Sequence, residues 1–491
     1  MMGCGIRWQT GARSCSPSTV KAIMQYRSTR GDAQPRSFSD ILLAGLAEDG
    51  GLYMPETWPQ FTPQEWREMR KLSYPDLAAR ILSVFAEGSI DLPTLQTLCA
   101  RAYAGFSHAA IAPLVEVENG LFSMELFHGP TLAFKDMAMQ LLGQLFEHVL
   151  TERNQRVTIV GATSGDTGSA AIEAFRGSPH LSVAILHPMG RTSDVQRRQM
   201  TTVKDDNILN IAVEGTFDDC QDLVKAMFAD TQFRNEINLS AVNSINWARI
   251  AAQIPYYVRA ALMMGAPDRE VSFAVPTGNF GNVLAAWAAS KMGLPVRRLC
   301  IGSNRNDILT RFLTSNDMSM RAVEPSYSPS MDIQISSNFE RLLFELLDRD
   351  AEACRNTMLA FRQTGRMTVD PAVWQRAKDR FGALMLDDEA TLAEMQTLWE
   401  RSLYLADPHS AIGLAAGRQE QEPGIPMIVA ATAHPAKFPD AVRRATGIDP
   451  ALPPHLADLF TREERYETQP NELNIIEDSV RRHLAGHTHK A

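Results

Sequence analysis

Apolar positions along the 491-residue chain follow two rhythms. From residue 39 to about residue 106 they recur at helical spacing, and two helix starts are written out explicitly. Thr62-Pro63-Gln64-Glu65 joins a capping box to a proline at the first helical position, and Ser73-Tyr74-Pro75-Asp76 repeats the device. The spacing predicts a mostly helical cap domain over residues 24–112. From about Pro113, short β-branched runs alternate with glycine turns and helical stretches. Residues 157–160, 181–186, 208–213, 271–275 and 426–430 are near-continuous apolar runs. Strands of that kind, separated by helices, are buried on both faces of a parallel sheet. After Pro325 come a Ser/Pro-rich connection, helices to about Leu405 (one opened by Asp370-Pro371), the last of those strands and a helical tail of mixed charge. The prediction is an α/β protein with one α/β domain over residues 113–265 and a second over residues 266–491.

Composition narrows the class. A chain of this length with 45% hydrophobic residues can bury more than one core, about two to four domains. A net charge of -9, with no basic stripe carrying interleaved aromatics, argues against nucleic acid as the main partner. Cys4, Cys15, Cys99, Cys220, Cys300 and Cys354 have neither CxxC nor metal-like spacing, so they read as reduced thiols in a cytoplasmic protein. No apolar run is long enough to span a bilayer; the region 250–264 is interrupted by Gln253, Pro255 and Arg259. Residues 1–31 lack acidic side chains and are faintly like a transit peptide. The preferred expectation is that Met24 is the natural start and residues 1–23 are an extension outside the fold.

Reactive chemistry concentrates in His128-Gly129-Pro130-Thr131-Leu132-Ala133-Phe134-Lys135-Asp136. Phe134, Ala138, Leu141, Leu142, Leu145, Phe146 and Val149 then recur at helical spacing, which puts Lys135 in a first helical turn. The positive end of the helix dipole and partial desolvation both disfavour an ammonium there, leaving more free amine. Such an amine suits a Schiff base with an aldehyde cofactor.

Two glycine-rich loops follow strands and precede helices: Gly161-Ala162-Thr163-Ser164-Gly165-Asp166-Thr167-Gly168, ahead of a helix over 169–175, and Pro276-Thr277-Gly278-Asn279-Phe280-Gly281-Asn282, ahead of one over 283–290. Each is either an anion site at a helix start or a turn needing glycine for its geometry alone. Neither ends in Gly-Lys-Ser/Thr, neither carries G-x-G-x-x-G, and Ser164 is not centred in G-x-S-x-G. His128, His187, His409 and His434 sit on separate turns without paired helical spacing, so no metal site is expected.

An amine, a cradle for a cofactor phosphate and a cradle for a substrate anion together fit pyridoxal phosphate. Tyr26-Arg27-Ser28-Thr29-Arg30-Gly31, Asp49-Gly50-Gly51-Leu52-Tyr53, the lysine segment, Ser164-Gly165-Asp166-Thr167-Gly168, Gly278-Asn279-Phe280-Gly281-Asn282, Asn304-Arg305-Asn306-Asp307 and Thr432-Ala433-His434-Pro435-Ala436-Lys437-Phe438 resemble the threonine synthase family in its longer microbial and fungal form. The resemblance runs from Met24 to beyond Phe438. It implies a fold type II pyridoxal-phosphate enzyme with two open, mostly parallel sheet domains flanked by helices, behind an N-terminal helical cap. It implies further that Lys135 joins the cofactor's aldehyde, that Gly278, Asn279, Phe280, Gly281 and Asn282 hold its phosphate, and that Thr432 faces its ring nitrogen. Ser164, Gly165, Asp166 and Thr167 would receive the substrate carboxylate, with Asp166 near the ring hydroxyl, where two adjacent anions need a proton or cation between them.

The family's substrate is O-phosphohomoserine, converted with water to threonine and phosphate. Asn246 and Arg249 are the first candidates to bind it, since a guanidinium fork matches phosphate, although Arg249 reads equally as a helix-surface arginine. Ser336, Ser337, Asn338 and Arg341 are weaker candidates. The alternatives are a threonine or serine dehydratase of the same fold and a catalytically silent metabolite-binding relative. The expected assembly is a monomer or homodimer.

Overall fold

The computed structural model describes residues 23–32, 34–240 and 244–488. All but Ile23 of the expected extension, together with Cys4 and Cys15, lies outside the described residues.

The N-terminal segment builds helices α1 (Phe38–Ala44), α2 (Pro63–Met69), α3 (Tyr74–Phe85) and α4 (Leu92–Tyr103), as its spacing predicts. Thr62 accepts from the Glu65 amide while the Glu65 carboxylate accepts from the Thr62 amide at 2.8 Å, and Ser73 accepts from the Asp76 amide. Each such cap is worth about 1 kcal/mol. Trp66, Leu77, Ile81, Leu82 and Phe85 are fully buried on the inward faces. The spacing did not predict the antiparallel pair of β1 (Tyr26–Ser28) and β2 (Tyr53–Pro55), strands too short to show a period.

Two sheets form the rest. The larger runs β11 (Phe381–Met385), β10 (Val296–Ser303), β9 (Val271–Pro276), β12 (Met427–Ala431), β4 (Leu121–Glu125) and β3 (Leu114–Glu118); only the β3–β4 pair is antiparallel. The smaller is parallel throughout: β13 (Glu467–Pro470), β7 (Ile208–Glu214), β6 (Leu181–Pro188), β5 (Val157–Ala162) and β8 (Leu239–Ser240). Every residue of β6, β9 and β12 is buried, which is why those runs are apolar without alternation.

The two α/β units are not the contiguous blocks 113–265 and 266–491. β3 and β4 join the sheet built from later residues, and β13 returns to the sheet built from earlier ones. Strand pairing is a tertiary choice that local pattern does not encode, so a boundary placed where the rhythm changes cuts both sheets. The carboxyl ends of β5, β9 and β12, one from the smaller sheet and two from the larger, lead into the segments that hold the candidate site, as is usual in open α/β folds.

Candidate active site

Lys135 is the first residue of α5 (Lys135–Arg153) and is buried. The turn before it is locked by Asp136, whose carboxylate accepts from the Thr131 amide at 2.8 Å and the Thr131 hydroxyl at 2.6 Å. That close approach explains Gly129: a Cβ there would stand 2.5 Å from the Asp136 Cβ. Burial draws the Lys135 ammonium below its ordinary range, while Asp166, an opposite charge, pulls it back up. Its Nζ donates to Asp166 Oδ2 at 3.1 Å and to Ser330 Oγ at 3.3 Å.

Helix α6 (Asp166–Phe175) starts three residues earlier than its spacing predicts, at Asp166, behind Gly165 with φ 140°. Burial alone would raise the Asp166 carboxyl; Lys135 and Lys437 outweigh it and hold the group well below the usual carboxylate range. Lys437, fully buried, sits 2.9 Å from Asp166 Oδ1, and Gln196 Nε2 donates to the same oxygen at 2.9 Å. A cation beside Asp166 is what a carboxylate facing a second anion requires. Lys437 lies within the motif at 432–438, and nothing local in the sequence marks its reach to Asp166.

The second loop leads into a helix, Gly281–Lys291, two residues earlier than expected. Phe280 stands before it at φ 62°, a left-handed value uncommon for a non-glycine residue, and no side chain caps the helix start. Its first N–H groups are therefore available to an anion. A Cβ on Gly278 would lie 2.9 Å from the Ser330 carbonyl oxygen, so only glycine lets the two segments close over one another. Asn282 Oδ1 accepts from the hydroxyls of Tyr256 and of Tyr257, the latter at 2.7 Å; its buried Nδ2 has no partner among the described residues.

Lys135, Asp166, Thr167, Arg249, Gly278, Asn279, Phe280, Gly281, Asn282 and Thr432 line one cavity of about 710 Å³, its solvent-facing mouth included. Ser330 and His409 also face it and were not among the predicted site residues. His409 Nδ1 lies 2.7 Å from Asp407 Oδ2 and its Nε2 accepts from the Ser330 amide at 3.3 Å, steadying the Ser330 turn. That turn is also held by Asp332, which accepts from Asn304, Asn306 and Ser326 and so gives the Asn304-Arg305-Asn306-Asp307 motif a structural task.

Several candidates are placed elsewhere. Asn246 caps the helix Trp247–Ala251 by accepting from the Ala248 amide and donates to Leu42 O, so both ends of its amide are spent outside the cavity. Ser164 and Gly165 do not line the cavity either. Ser336, Ser337, Asn338 and Arg341 buttress the glycine loop instead: Ser336 donates to Gly278 O at 2.7 Å, Asn338 to Asn279 O at 3.1 Å, and Arg341 to Asn338 and Tyr53 O. Arg249 is not a surface arginine. It is buried, it lines the cavity, burial pulls its guanidinium down to about 10, and its Nη1 has no partner among the described residues.

A reachable amine, an uncapped helix start with a spare amide donor, and a buried guanidinium with an open donor fit pyridoxal phosphate beside an anionic substrate. Among the described residues no cluster of metal-ligating side chains occurs, and no helix is long and apolar enough to cross a membrane.

Comparison with known proteins agrees with this geometry. Family models match in chain order: Threonine synthase N terminus over residues 25–103, Pyridoxal-phosphate dependent enzyme over 108–372, and Threonine synthase, C-terminal over 410–480. A threonine synthase of Pseudomonas aeruginosa is 51% identical over 462 residues, 94% of this chain and 98% of that protein. The crystal structure of a PLP-bound threonine synthase from Brucella melitensis superposes with a TM-score of 0.92 at 51% identity, covering 94% of this chain and 99% of that one. The yeast threonine synthase structure gives 0.89 at 40%, covering 94% and 99%. With a pyridoxal-phosphate site at its centre and matches at both ends, the chain belongs to the threonine synthase family of pyridoxal-phosphate-dependent lyases.

Proposed function

We propose that the chain converts O-phosphohomoserine and water to threonine and inorganic phosphate, and that the cavity around Lys135 does the work. The observation carrying this is Arg249, a buried guanidinium with an open donor in the same cavity as an amine and a phosphate cradle. Such a cation is costly to bury alone and is suited to a dianionic group arriving with the substrate. Pyridoxal phosphate, when bound, supplies an aldehyde carbon that accepts the substrate amine and a ring that takes up the electrons released at carbon.

The chain's own residues do the rest. The backbone of 278–281 and Asn282 Nδ2 would hold the cofactor phosphate, and Thr432, on the same cavity wall, would serve its ring. Thr167 and the start of α6 would orient the substrate carboxylate, with Asp166 beside the cofactor ring. Lys135 Nζ would take a proton from the substrate's α carbon and then from its β carbon, and would give them back at the γ carbon and finally at the α carbon. Arg249 would hold the phosphate as it departs from the γ carbon, after which water gives its hydroxyl to the β carbon and its remaining proton balances the released phosphate.

Incubation with O-phosphohomoserine is expected to yield threonine and phosphate in equal amounts. Appearance of a keto acid and ammonia instead would favour the dehydratase reading, against which the matches at both ends of the chain already weigh. The hydroxyl of Tyr257 fixes the Asn282 amide, so Tyr257→Phe is expected to weaken cofactor binding about two- to tenfold, the worth of one hydrogen bond at about 0.5–1.5 kcal/mol. Titrating the apoprotein with pyridoxal phosphate measures it, and an unchanged affinity removes Asn282 from the phosphate site. The reading extends to a cytoplasmic enzyme, in keeping with the buried free thiols Cys99, Cys220, Cys300 and Cys354, and to a monomer or homodimer.

A further inference from the structure

Lys437 has no part in the reaction as set out above, yet it is one of the most completely buried charges in the chain. It lies in the short turn Pro435–Lys437 that follows β12. Its Nζ donates to Thr131 O at 2.7 Å, in the turn ahead of Lys135, and stands 2.9 Å from Asp166 Oδ1 at the start of α6. It therefore ties together the three segments that bring Lys135, Asp166 and Thr432 to one place. Burying an ammonium costs several kcal/mol unless it is paired, so the placement needs a reason in charge.

The charges around Asp166 supply it. Lys135 faces it from α5, Lys437 from the turn after β12, and Arg249 lies across the cavity; Gln196 and Ser330 add neutral donors, and His409 stands behind Ser330. Asp136, the other buried carboxyl nearby, is hydrogen-bonded by Thr131 and also feels Lys437, but only Asp166 forms an ion pair with that lysine among the described residues. Two lysines thus share one carboxylate. Asp166 needs a cation to stay ionised in this setting, but a lysine serving as that cation cannot also be a nucleophile.

We propose that Lys437 is a positioning residue that carries the counter-charge of Asp166, leaving Lys135 free to give up its proton and act as an amine. The same charge remains on Asp166 after Lys135 has been committed to the cofactor. Lys437 and Arg249 both add positive charge near Lys135, and each favours its neutral form. This rests on the roles given above to Lys135 and Asp166.

The test follows capture of pyridoxal phosphate by the full-length apoprotein as a function of pH. Capture forms a C=N bond between the uncharged Lys135 amine and the aldehyde with loss of water, so its rate tracks the free amine. The readouts are visible absorbance and the mass of the borohydride-reduced peptide containing Lys135. In Lys437→Met, Lys135 becomes the remaining lysine on Asp166 and keeps its proton longer. Its rate profile is expected to move to higher pH by about one unit, about tenfold slower capture at a given pH below the midpoint, the lower end of what one neighbouring charge does. Lys437→Arg, which keeps the charge, should stay near wild type. A Lys437→Met profile lying on the wild-type curve overturns the proposal.

Should Lys437→Met fail to fold, the double variant Asp166→Asn/Lys437→Met decides. Removing both charges restores a protein that is folded by circular dichroism if Lys437 serves Asp166, and a double variant as unfolded as the single one overturns the idea. A wild-type protein without an adduct on Lys135 sinks the catalytic reading and this inference with it. A wild-type adduct with an unshifted Lys437→Met profile sinks the inference alone.

Discussion

An alanine at position 135 is expected to leave a folded protein that makes no threonine from O-phosphohomoserine. The side chain is asked for two services, a covalent hold on the cofactor and proton transfer at two carbons. General acid–base work alone is worth about 10²–10⁴-fold, and loss of the covalent hold adds to it. The fold should survive, because Asp166 keeps Lys437 at 2.9 Å and Gln196 at 2.9 Å when Lys135 is gone. The check is a paired assay of threonine and phosphate release, with circular dichroism to establish folding and borohydride trapping to establish loss of the adduct. Retained threonine formation in this variant would remove Lys135 from the mechanism.

Arg249→Met should separate function from stability, since the two are expected to move in opposite directions. In the protein as it stands, Arg249 is a buried cation with an unpartnered Nη1 and no acidic partner among the described residues. Replacing a buried unpaired charge with an apolar side chain of similar length relieves desolvation, so the melting temperature of the apoprotein should stay level or rise. The substrate phosphate, by contrast, loses a charged partner. Leaving one member of a buried charge pair unpaired costs about 2–5 kcal/mol, which corresponds to a fall in kcat/KM of roughly 30-fold to a few thousandfold. Arg249→Lys keeps the charge but not the planar fork and should fall between. If Arg249→Met lowered the melting temperature while kcat/KM held, the residue would be a structural arginine and the substrate phosphate would bind elsewhere.

Much of this protein could be read from local pattern. The runs at 157–160, 181–186, 208–213, 271–275 and 426–430 were legible as strands because parallel strands covered on both faces carry apolar side chains at every position. Lys135 at a helix start was legible because the Gly-Pro turn and the apolar spacing of α5 lie within a few residues of it. Helix starts without a side-chain cap were read late: Asp166 and Gly281 open their helices earlier than the spacing says, since Gly165 and Phe280 leave no capping signal.

The amino-acid sequence by itself determined the class of elements, the lysine at a helix start and the two glycine turns that lead from strands into helices, each of which depends on contacts between near neighbours. Only the tertiary structure decided which sheet received β3, β4 and β13, and that Asn246 would cap a helix while Arg249, one turn on, entered the cavity. It likewise brought Ser330 to Lys135 across 195 residues and Lys437 to Thr131 across 306. The physical reason is that desolvation and charge pairing depend on what surrounds a group in space. A buried lysine has no sequence signature until the carboxylate it serves has been folded against it.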